Sequence, residues 1–211
     1  MSDARPRGRF ISLEGGEGVG KSTQVKRLAA ALRDRGLDVI ETREPGGSPG
    51  AEAIRALLMQ GDVQRWTPET EALLFAAARA DHVARTIRPA LDRGAWVVSD
   101  RFLDSSLAYQ GGADGLGGET IRTLHAIGSG GLLPDRTLVL RLPVDEAEAR
   151  EHARDGGRPD RFAARGRDYH AAVAAAFARL ADMEPERLRL VDASGAAGTV
   201  TQRLLAALDD L

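Results

Sequence analysis

Eight residues near the start of the chain have the composition and spacing of a phosphate-binding loop. Residues 15–22 read GGEGVGKS, which matches the pattern GxxxxGK[ST] between an apolar run and a helical pattern. Glycines let backbone N–H groups wrap a phosphate without Cβ clashes, and the following helix start adds further N–H groups. A merely tight strand-to-helix turn would not require the lysine and serine. We expect a nucleoside triphosphate to be bound by Gly15, Gly16, Glu17, Gly18, Val19, Gly20, Lys21, Ser22 and Thr23.

Within this motif, Lys21 has the position that reaches the β- and γ-phosphates, and the Ser22 hydroxyl is a natural Mg²⁺ ligand. A second metal ligand is predicted at Asp100, which ends the apolar run 96–99. Such a carboxylate lies beside the metal when its strand ends at the same sheet edge as the loop. An aspartate after a strand is also common turn chemistry, so the prediction for Asp100 depends on the phosphate loop.

Two further loops contain arginines that could hold a second anionic substrate. Arg43 follows the second predicted strand and Arg101 follows the third, so both are expected at the edge where the phosphate loop opens. An isolated arginine is usually a solvated surface residue. The convergence of the two arginines is what favours anion binding.

A basic segment at residues 150–166 is predicted to be a mobile lid. It contains Arg150, Arg154, Arg158 and Arg161, and glycines and a proline break its helical pattern. Four like charges repel each other unless an anion arrives, so the lid would close over the transferring phosphate and stabilise its charge. The alternative is a solvated basic loop that Asp155 and Asp160 partly neutralise.

Other chemistries have little support. The chain has no cysteine, which excludes disulfides, thiolate metal sites and cysteine nucleophiles. Its four histidines are scattered singly without metal-ligand spacing, and no Ser–His–Asp arrangement is legible. The net charge of −2 gives no sign of a nucleic-acid-binding face.

The periodicity predicts alternating strands and helices. Strands are expected at 10–13, 37–41, 96–98, 137–142 and 188–191, and helices at 21–34, 51–59, 68–91, 145–154, 170–178 and from about 198. Alternation of this kind indicates an α/β fold with a five-stranded parallel sheet and helices on both faces. With 211 residues we expect one domain, 9–211, after a flexible tail at 1–8. No apolar run has the length of a signal peptide or membrane span, so we expect a cytoplasmic protein.

Four motifs in order make the chain resemble the thymidylate kinase family: EGGEGVGKST, TREPGG, DRFLDSSLAYQG and the basic lid. The resemblance runs from about Phe10 to the C-terminal helix. It implies a P-loop NTPase-type fold, ATP with Mg²⁺ as donor, dTMP as acceptor, and a homodimer, with no nucleic-acid or membrane partner.

The resemblance also implies roles for residues of the acceptor site. Glu17 takes the acidic position near the acceptor sugar 3′-hydroxyl, and Arg43 and Arg101 the arginines near its phosphate. Phe75 matches the aromatic that stacks on thymine and Arg79 the arginine that hydrogen-bonds its carbonyl; without the family, Phe75 would be read as core and Arg79 as solvated. Further acceptor-pocket positions are Arg55, Asp100, Ser105, Ser106, Tyr109 and Gln110.

Tyr109 is suited to crowd a ribose 2′-hydroxyl, whereas Ser105 and Ser106 could equally be turn residues. In one branch of the family the phosphate loop carries an arginine where this chain has Gly18. Catalytic charge would therefore come from Lys21, Arg101 and the lid residues Arg154, Arg158 and Arg161, as in the bacterial-type branch. After Asp160 and Arg161, the residues 162–164 (FAA) lack the glutamate often seen in that branch.

Two other functions remain open at this stage. One is a different nucleoside or nucleotide kinase, with dUMP or a deoxynucleoside as acceptor. The other is a nucleotide-switch protein of the GTPase type. The guanine-reading N-K-x-D motif is absent from the sequence, which disfavours the switch.

Overall fold

The computed structural model describes residues 7–155, 161–162 and 164–211, with residues 151–155 described as backbone only. Within them, five strands form one parallel sheet, as predicted. The strands are β1 (Phe10–Glu14), β2 (Val39–Arg43), β3 (Trp96–Asp100), β4 (Arg136–Arg141) and β5 (Leu188–Asp192). The sheet order is β2-β3-β1-β4-β5, so the chain leaves the central β1 first to one side and then to the other.

Helices connect the strands and cover both faces of the sheet, which confirms the predicted fold class. They are α1 (Lys21–Asp34), α2 (Pro49–Met59), α3 (Pro68–His82), α4 (Arg88–Asp92), α5 (Leu103–Ser106), α6 (Gly118–Ser129), α7 (Val144–Asp155), α8 (Arg167–Met183) and α9 (Ala197–Ala206), with π-helical segments at Val83–Ile87 and Leu107–Ala113. No helix among the described residues is both long and apolar enough to cross a membrane.

The central strand β1 is buried along its whole length because its side chains alternate between two apolar cores. Ile11 and Leu13 pack with α1 and α9 on one face, whereas Phe10 packs against Phe102 and the α3–α4 region on the other. Full burial of each such side chain contributes about 1.5–3 kcal/mol to folding. Two-sided burial fixes the carboxyl end of β1, from which the phosphate loop starts.

Strand register brings two predicted functional positions, Asp100 and Arg43, to the edge at which β1 leads into the phosphate loop. Leu13 of β1 lies beside Asp100 of β3, and Asp100 lies beside Arg43 of β2. Parallel strands present their carboxyl ends at the same edge, so the loops that follow β1, β2 and β3 open together.

The helix predicted for residues 68–91 is confirmed in extent, because helical backbone runs without a break from Pro68 to Asp92. It consists of α3, a π-helical turn at Val83–Ile87 and α4. Pro89 accounts for the turn, because a proline has no N–H for the carbonyl four residues earlier and its ring crowds that carbonyl. The helix α6 and the segment from α5 to Ala113 were not predicted, since their glycines obscure the helical pattern.

Candidate active site

The phosphate loop turns sharply between β1 and α1. Gly15 has φ +130°, and a Cβ there would lie 2.5 Å from the Leu140 carbonyl oxygen. Gly18 has φ +71°, and a Cβ would lie 2.0 Å from the carbonyl oxygen of Ala147 in α7. The loop backbone therefore packs directly against β4 and α7, and this arrangement has no room for a side chain at position 18.

Lys21 is the first residue of α1 and lies folded over its own loop. Its Nζ donates to the Gly16 carbonyl oxygen at 2.6 Å, and the residue is 7 % exposed. Burial lowers the pKa of Lys21, and the nearby Arg101 lowers it further, while Glu17, Asp100 and Glu14 act in the opposite direction. A buried cation beside backbone N–H groups at a helix start is an arrangement that attracts polyanions.

Ser22 and Asp100 meet across the start of the cleft. The Ser22 hydroxyl donates to Asp100 Oδ2 at 2.6 Å, so α1 and β3 hold two side-chain oxygen atoms within hydrogen-bond distance of each other. Mg²⁺ prefers oxygen ligands and is usually held by one or two carboxylates together with substrate phosphates. This pair of side chains fits such an ion.

Arg101 links the phosphate loop to the rest of the cleft. It has φ 71°, in the left-handed region that side-chain-bearing residues rarely adopt. Its Nη1 donates to the Gly15 carbonyl and Ser105 Oγ, both at 3.0 Å, and its Nη2 donates to Glu17 Oε1 at 2.5 Å. Burial works to lower the pKa of Arg101, but Glu17, Tyr109 and Asp100 raise it, so the guanidinium stays charged.

Glu14, which the sequence reasoning missed, lies beneath Arg101. The carboxylate accepts hydrogen bonds from Phe102 N at 2.7 Å, Ser105 Oγ at 2.5 Å and Ser12 Oγ at 3.0 Å. Burial and then Asp104 raise the pKa of Glu14 to about 7. A glutamate at the end of a mostly apolar strand was the signal available in the sequence.

Arg79 of α3 is held in a fixed orientation by three hydrogen bonds. Its Nε donates to Glu44 Oε2 at 2.7 Å, and its Nη2 donates to the Phe102 carbonyl at 3.1 Å and Ser106 Oγ at 2.9 Å. Its Nη1 makes no hydrogen bond to the described part of the chain. Burial opposes ionisation of Glu44, but Arg79 and His82 hold its pKa below the usual value.

The other predicted arginines of this region lie nearer the surface. Arg43 Nη2 pairs with both carboxylate oxygens of Glu52, at 2.9 and 3.0 Å, and its side chain is half exposed. Arg55 of α2 donates to the Pro45 carbonyl at 2.7 Å. Both line the same cleft as Arg79.

One cleft of 790 Å³ connects these parts. We name its two halves the phosphate-loop end (residues 17–23 and Asp100) and the Arg79 end (Arg43, Arg55, Phe75, Arg79, Ser106 and Gln110). Arg101, Ser105 and Tyr109 line the cleft between them, and Tyr109 OH lies 3.3 Å from both Glu17 Oε1 and Arg101 Nη2. The cleft can thus hold two anionic molecules in contact with each other.

Comparison with known proteins gives the family. A family model described as thymidylate kinase matches residues 13–204. The chain belongs to the thymidylate kinase family. A thymidylate kinase from Rhizorhabdus wittichii is 66% identical over 204 residues, covering 97% of this chain and 98% of that protein. One from Caulobacter vibrioides is 50% identical over 194 residues, with 92% of each chain covered.

A solved structure from the thymidylate kinase family has the same fold. The crystal structure of thymidylate kinase from Ehrlichia chaffeensis matches with a TM-score of 0.78 and 28% identity, covering 97% of this chain and 100% of that chain. The family assignment therefore agrees with the resemblance carried by the four sequence motifs.

The predicted lid arginines of this family member fall into different surroundings. The side chain of Arg154 and the whole of Arg158 lie outside the described part of the chain. Arg150 lines the cleft, where it donates to Glu146 at 2.5 Å and to the Ala193 carbonyl at 3.3 Å. Arg161 does not line the cleft: its side chain is 0% exposed and its Nη2 lies 2.8 Å from Glu71 Oε2.

Phe162 lies next to Arg161 and does line the cleft. Its ring meets that of Phe75 edge to face, with 5.7 Å between the centroids. The sequence reasoning named Phe162 without giving it a role. Its partner Phe75 is far away in the chain, so the sequence carried no local signal for the contact.

Proposed function

We propose that this chain transfers the γ-phosphoryl group of ATP to dTMP, which yields dTDP and ADP on the way to dTTP. The observation that carries the proposal is the single cleft that runs from the phosphate loop to Phe75 and Arg79. Membership of the thymidylate kinase family supports the choice of substrates.

The phosphate-loop end is proposed to bind ATP. Backbone N–H groups of residues 15–20 and the start of α1 face the phosphates, and Lys21 supplies a buried positive charge beside them. Ser22 and Asp100 would hold Mg²⁺, which neutralises charge on the phosphate oxygens when it is bound.

The Arg79 end is proposed to bind dTMP. Phe75 offers an aromatic face for the base, and the Nη1 group of Arg79 is the donor for a base carbonyl. Arg43, Arg55 and Arg101 attract the acceptor phosphate. Tyr109, which is 5% exposed and held beside Glu17, would crowd a ribose 2′-hydroxyl and so favour the deoxy sugar.

The reaction needs positioning more than acid–base chemistry. A phosphate oxygen of dTMP attacks the γ-phosphorus in line, the new P–O bond forms, and the bond to the β,γ-bridging oxygen breaks as ADP leaves. A phosphate monoester with a second pKa of about 6 is largely dianionic at neutral pH, so the nucleophile needs no general base. Lys21 and Arg101 stabilise the transferring charge, and Arg154 and Arg158 of the lid add to it when the lid closes.

We propose that residues 9–211 form one domain and that a lid within residues 150–166 excludes water from the phosphoryl group.

We also propose a homodimer in the cytoplasm, where ATP and deoxynucleotides are available. Leu73 of α3 and Ile127 of α6 support the dimer, because they are large apolar side chains, 56% and 79% exposed, on two helices that pack together. Size-exclusion chromatography with light scattering tests the dimer.

An acceptor panel tests the proposed function. ADP release from ATP is measured with dTMP, dUMP, dCMP, thymidine and no acceptor. We expect dTMP to give the highest kcat/KM, and product analysis to identify dTDP. Preference for dUMP or for a nucleoside would indicate a different kinase, and tight nucleotide binding without transfer to any acceptor would indicate a switch protein.

A further inference from the structure

The C-terminal part of the predicted lid is fixed to the protein by Arg161. Its Nε donates to the Asp62 carbonyl at 2.8 Å, its Nη1 to the Leu58 carbonyl at 3.3 Å, and its Nη2 to the Val63 carbonyl at 3.0 Å. These carbonyls belong to the end of α2 and the loop that follows it. Leu58 is one of the last residues of α2, so Arg161 also satisfies a carbonyl that the helix itself leaves unpaired.

Glu71 of α3 is the charged partner of this arginine. It is 1% exposed and lies 2.8 Å from Arg161 Nη2, 2.9 Å from Arg165 Nη2 and 2.9 Å from Gln110 Nε2. One carboxylate thus joins α3, the π-helical segment and the C-terminal part of the predicted lid. A buried carboxylate that loses such partners is strongly disfavoured, so the three elements are held in one arrangement.

The cluster of Arg161, Glu71, Arg165 and Gln110 adjoins the Arg79 end of the cleft. Phe162, next to Arg161, packs edge to face on Phe75, and Gln110, bound to Glu71, lines the cleft beside them. Arg161 itself does not line the cleft. Its guanidinium nitrogens contact three backbone carbonyls and Glu71, so its charge is used within the protein and is not presented to a phosphate in the cleft.

We propose that Arg161 is a positioning residue of the acceptor pocket: its ion pair with Glu71 seats Phe162 against Phe75 and so sets dTMP affinity. This inference rests on the proposed function of the cleft. It gives Arg161 a different task from the other predicted lid arginines, because a transition-state arginine acts on kcat, whereas a residue that shapes the acceptor wall acts on the dTMP requirement.

The test compares Arg161→Met, Glu71→Gln and the double variant by steady-state kinetics with both substrates varied. We expect Arg161→Met to raise KM for dTMP roughly tenfold, with KM for ATP and kcat within about threefold of the wild type. Because Arg161 and Glu71 contact each other, the effects of the two substitutions should be less than additive in the double variant. Arg136→Met is the matched control, since Arg136 is equally buried and pairs with Asp210 away from the cleft.

The outcomes separate the inference from the proposed function. A hundredfold fall in kcat with an unchanged KM for dTMP would make Arg161 a transition-state residue and overturn the inference. So would an equal rise in KM for dTMP in Arg136→Met, because the effect would then be general destabilisation. If Arg161→Met does not fold, Arg161→Lys, which keeps the charge but cannot reach three carbonyls and Glu71, is measured in the same way. Absence of dTMP phosphorylation by the wild type would instead refute the proposed function.

Discussion

At the phosphate-loop end of the cleft, Lys21 donates to a carbonyl only five residues away, whereas at the Arg79 end Arg79 is held by Glu44, Phe102 and Ser106, which lie 35, 23 and 27 positions away. Apart from Asp100, the first half of the site is one continuous stretch of chain. The second is assembled from α2, α3, the π-helical segment and Phe162 of the predicted lid. Phosphate binding is therefore encoded mainly locally, while acceptor recognition depends on the fold.

The largest effect is expected from Lys21→Ala. Removal of the buried charge beside the transferring phosphate should lower kcat/KM roughly a thousandfold or more, because a preorganised charge in the site acts mainly on the transition state. Coupled ADP-release kinetics measure this loss. Lys26→Ala is the control, since Lys26 is exposed on the same helix. Near-normal turnover by Lys21→Ala would contradict the proposed role of the phosphate-loop end.

Asp100→Asn tests whether the phosphate-loop end extends beyond the loop itself. Loss of the carboxylate beside Ser22 should lower kcat on the order of a hundredfold and shift the Mg²⁺ requirement upward, because an amide is a weaker ligand for a hard cation. A titration of activity with Mg²⁺ measures both quantities. The control is Asp92→Asn, at an exposed position before β3, which should behave as the wild type. An unchanged Mg²⁺ requirement in Asp100→Asn would contradict the proposed metal site.

Arg79→Ala tests the Arg79 end. We expect KM for dTMP to rise about 10- to 100-fold with KM for ATP unchanged, since a hydrogen bond from a charged donor contributes about 1.5–3 kcal/mol. Initial rates with each substrate varied in turn give the two constants. Arg85→Ala is the control, because Arg85 lies on the next turns of the same helical run and is 67% exposed. An equal rise in both KM values would remove the distinction between the two halves.

Glu14→Gln is expected to have a smaller effect, on stability. The pKa of Glu14 is raised to about 7 in the folded protein from 4.5, so the folded state binds the proton more tightly than the unfolded state. The wild type should therefore lose stability as the pH rises from about 4.5 to 7, by about 1.4 kcal/mol per unit at most. Thermal unfolding of both proteins between pH 5 and 8 measures this.

Glutamine cannot ionise, so Glu14→Gln should not lose this stability. The melting temperature of Glu14→Gln, relative to that of the wild type, should therefore rise as the pH increases through this range. A constant difference between the two proteins from pH 5 to 8 would show that Glu14 does not titrate in this range.

The sequence predicted the sheet and the phosphate-loop end well, because both depend on local patterns. The apolar run before Gly15, the motif GxxxxGK[ST] and the start of α1 at Lys21 are all visible over about twenty residues. Asp100 was found in the same way, as a carboxylate at the end of a strand. Parallel strand register then brought it to Ser22, as the fold class implied.

The Arg79 end could be anticipated only through family resemblance. The periodicity of α3 places Phe75 and Arg79 on one face but does not reveal that Glu44 orients the arginine. The π-helical segment that carries Tyr109 and Gln110 follows no pattern that the sequence displays. The contact between Arg165 and Glu71 joins positions 94 apart, and such buried ion pairs have no sequence signature.

The most direct test of whether the cleft has two separable halves is calorimetric titration of two variants with both ligands. Lys21→Ala and Arg79→Ala are each titrated with dTMP and with a non-hydrolysable ATP analogue in the presence of Mg²⁺. We expect Lys21→Ala to lose affinity for the analogue but to bind dTMP as the wild type does, and Arg79→Ala to show the reverse. A loss of affinity for both ligands in either variant, with the fold retained, would contradict the separation of the two halves.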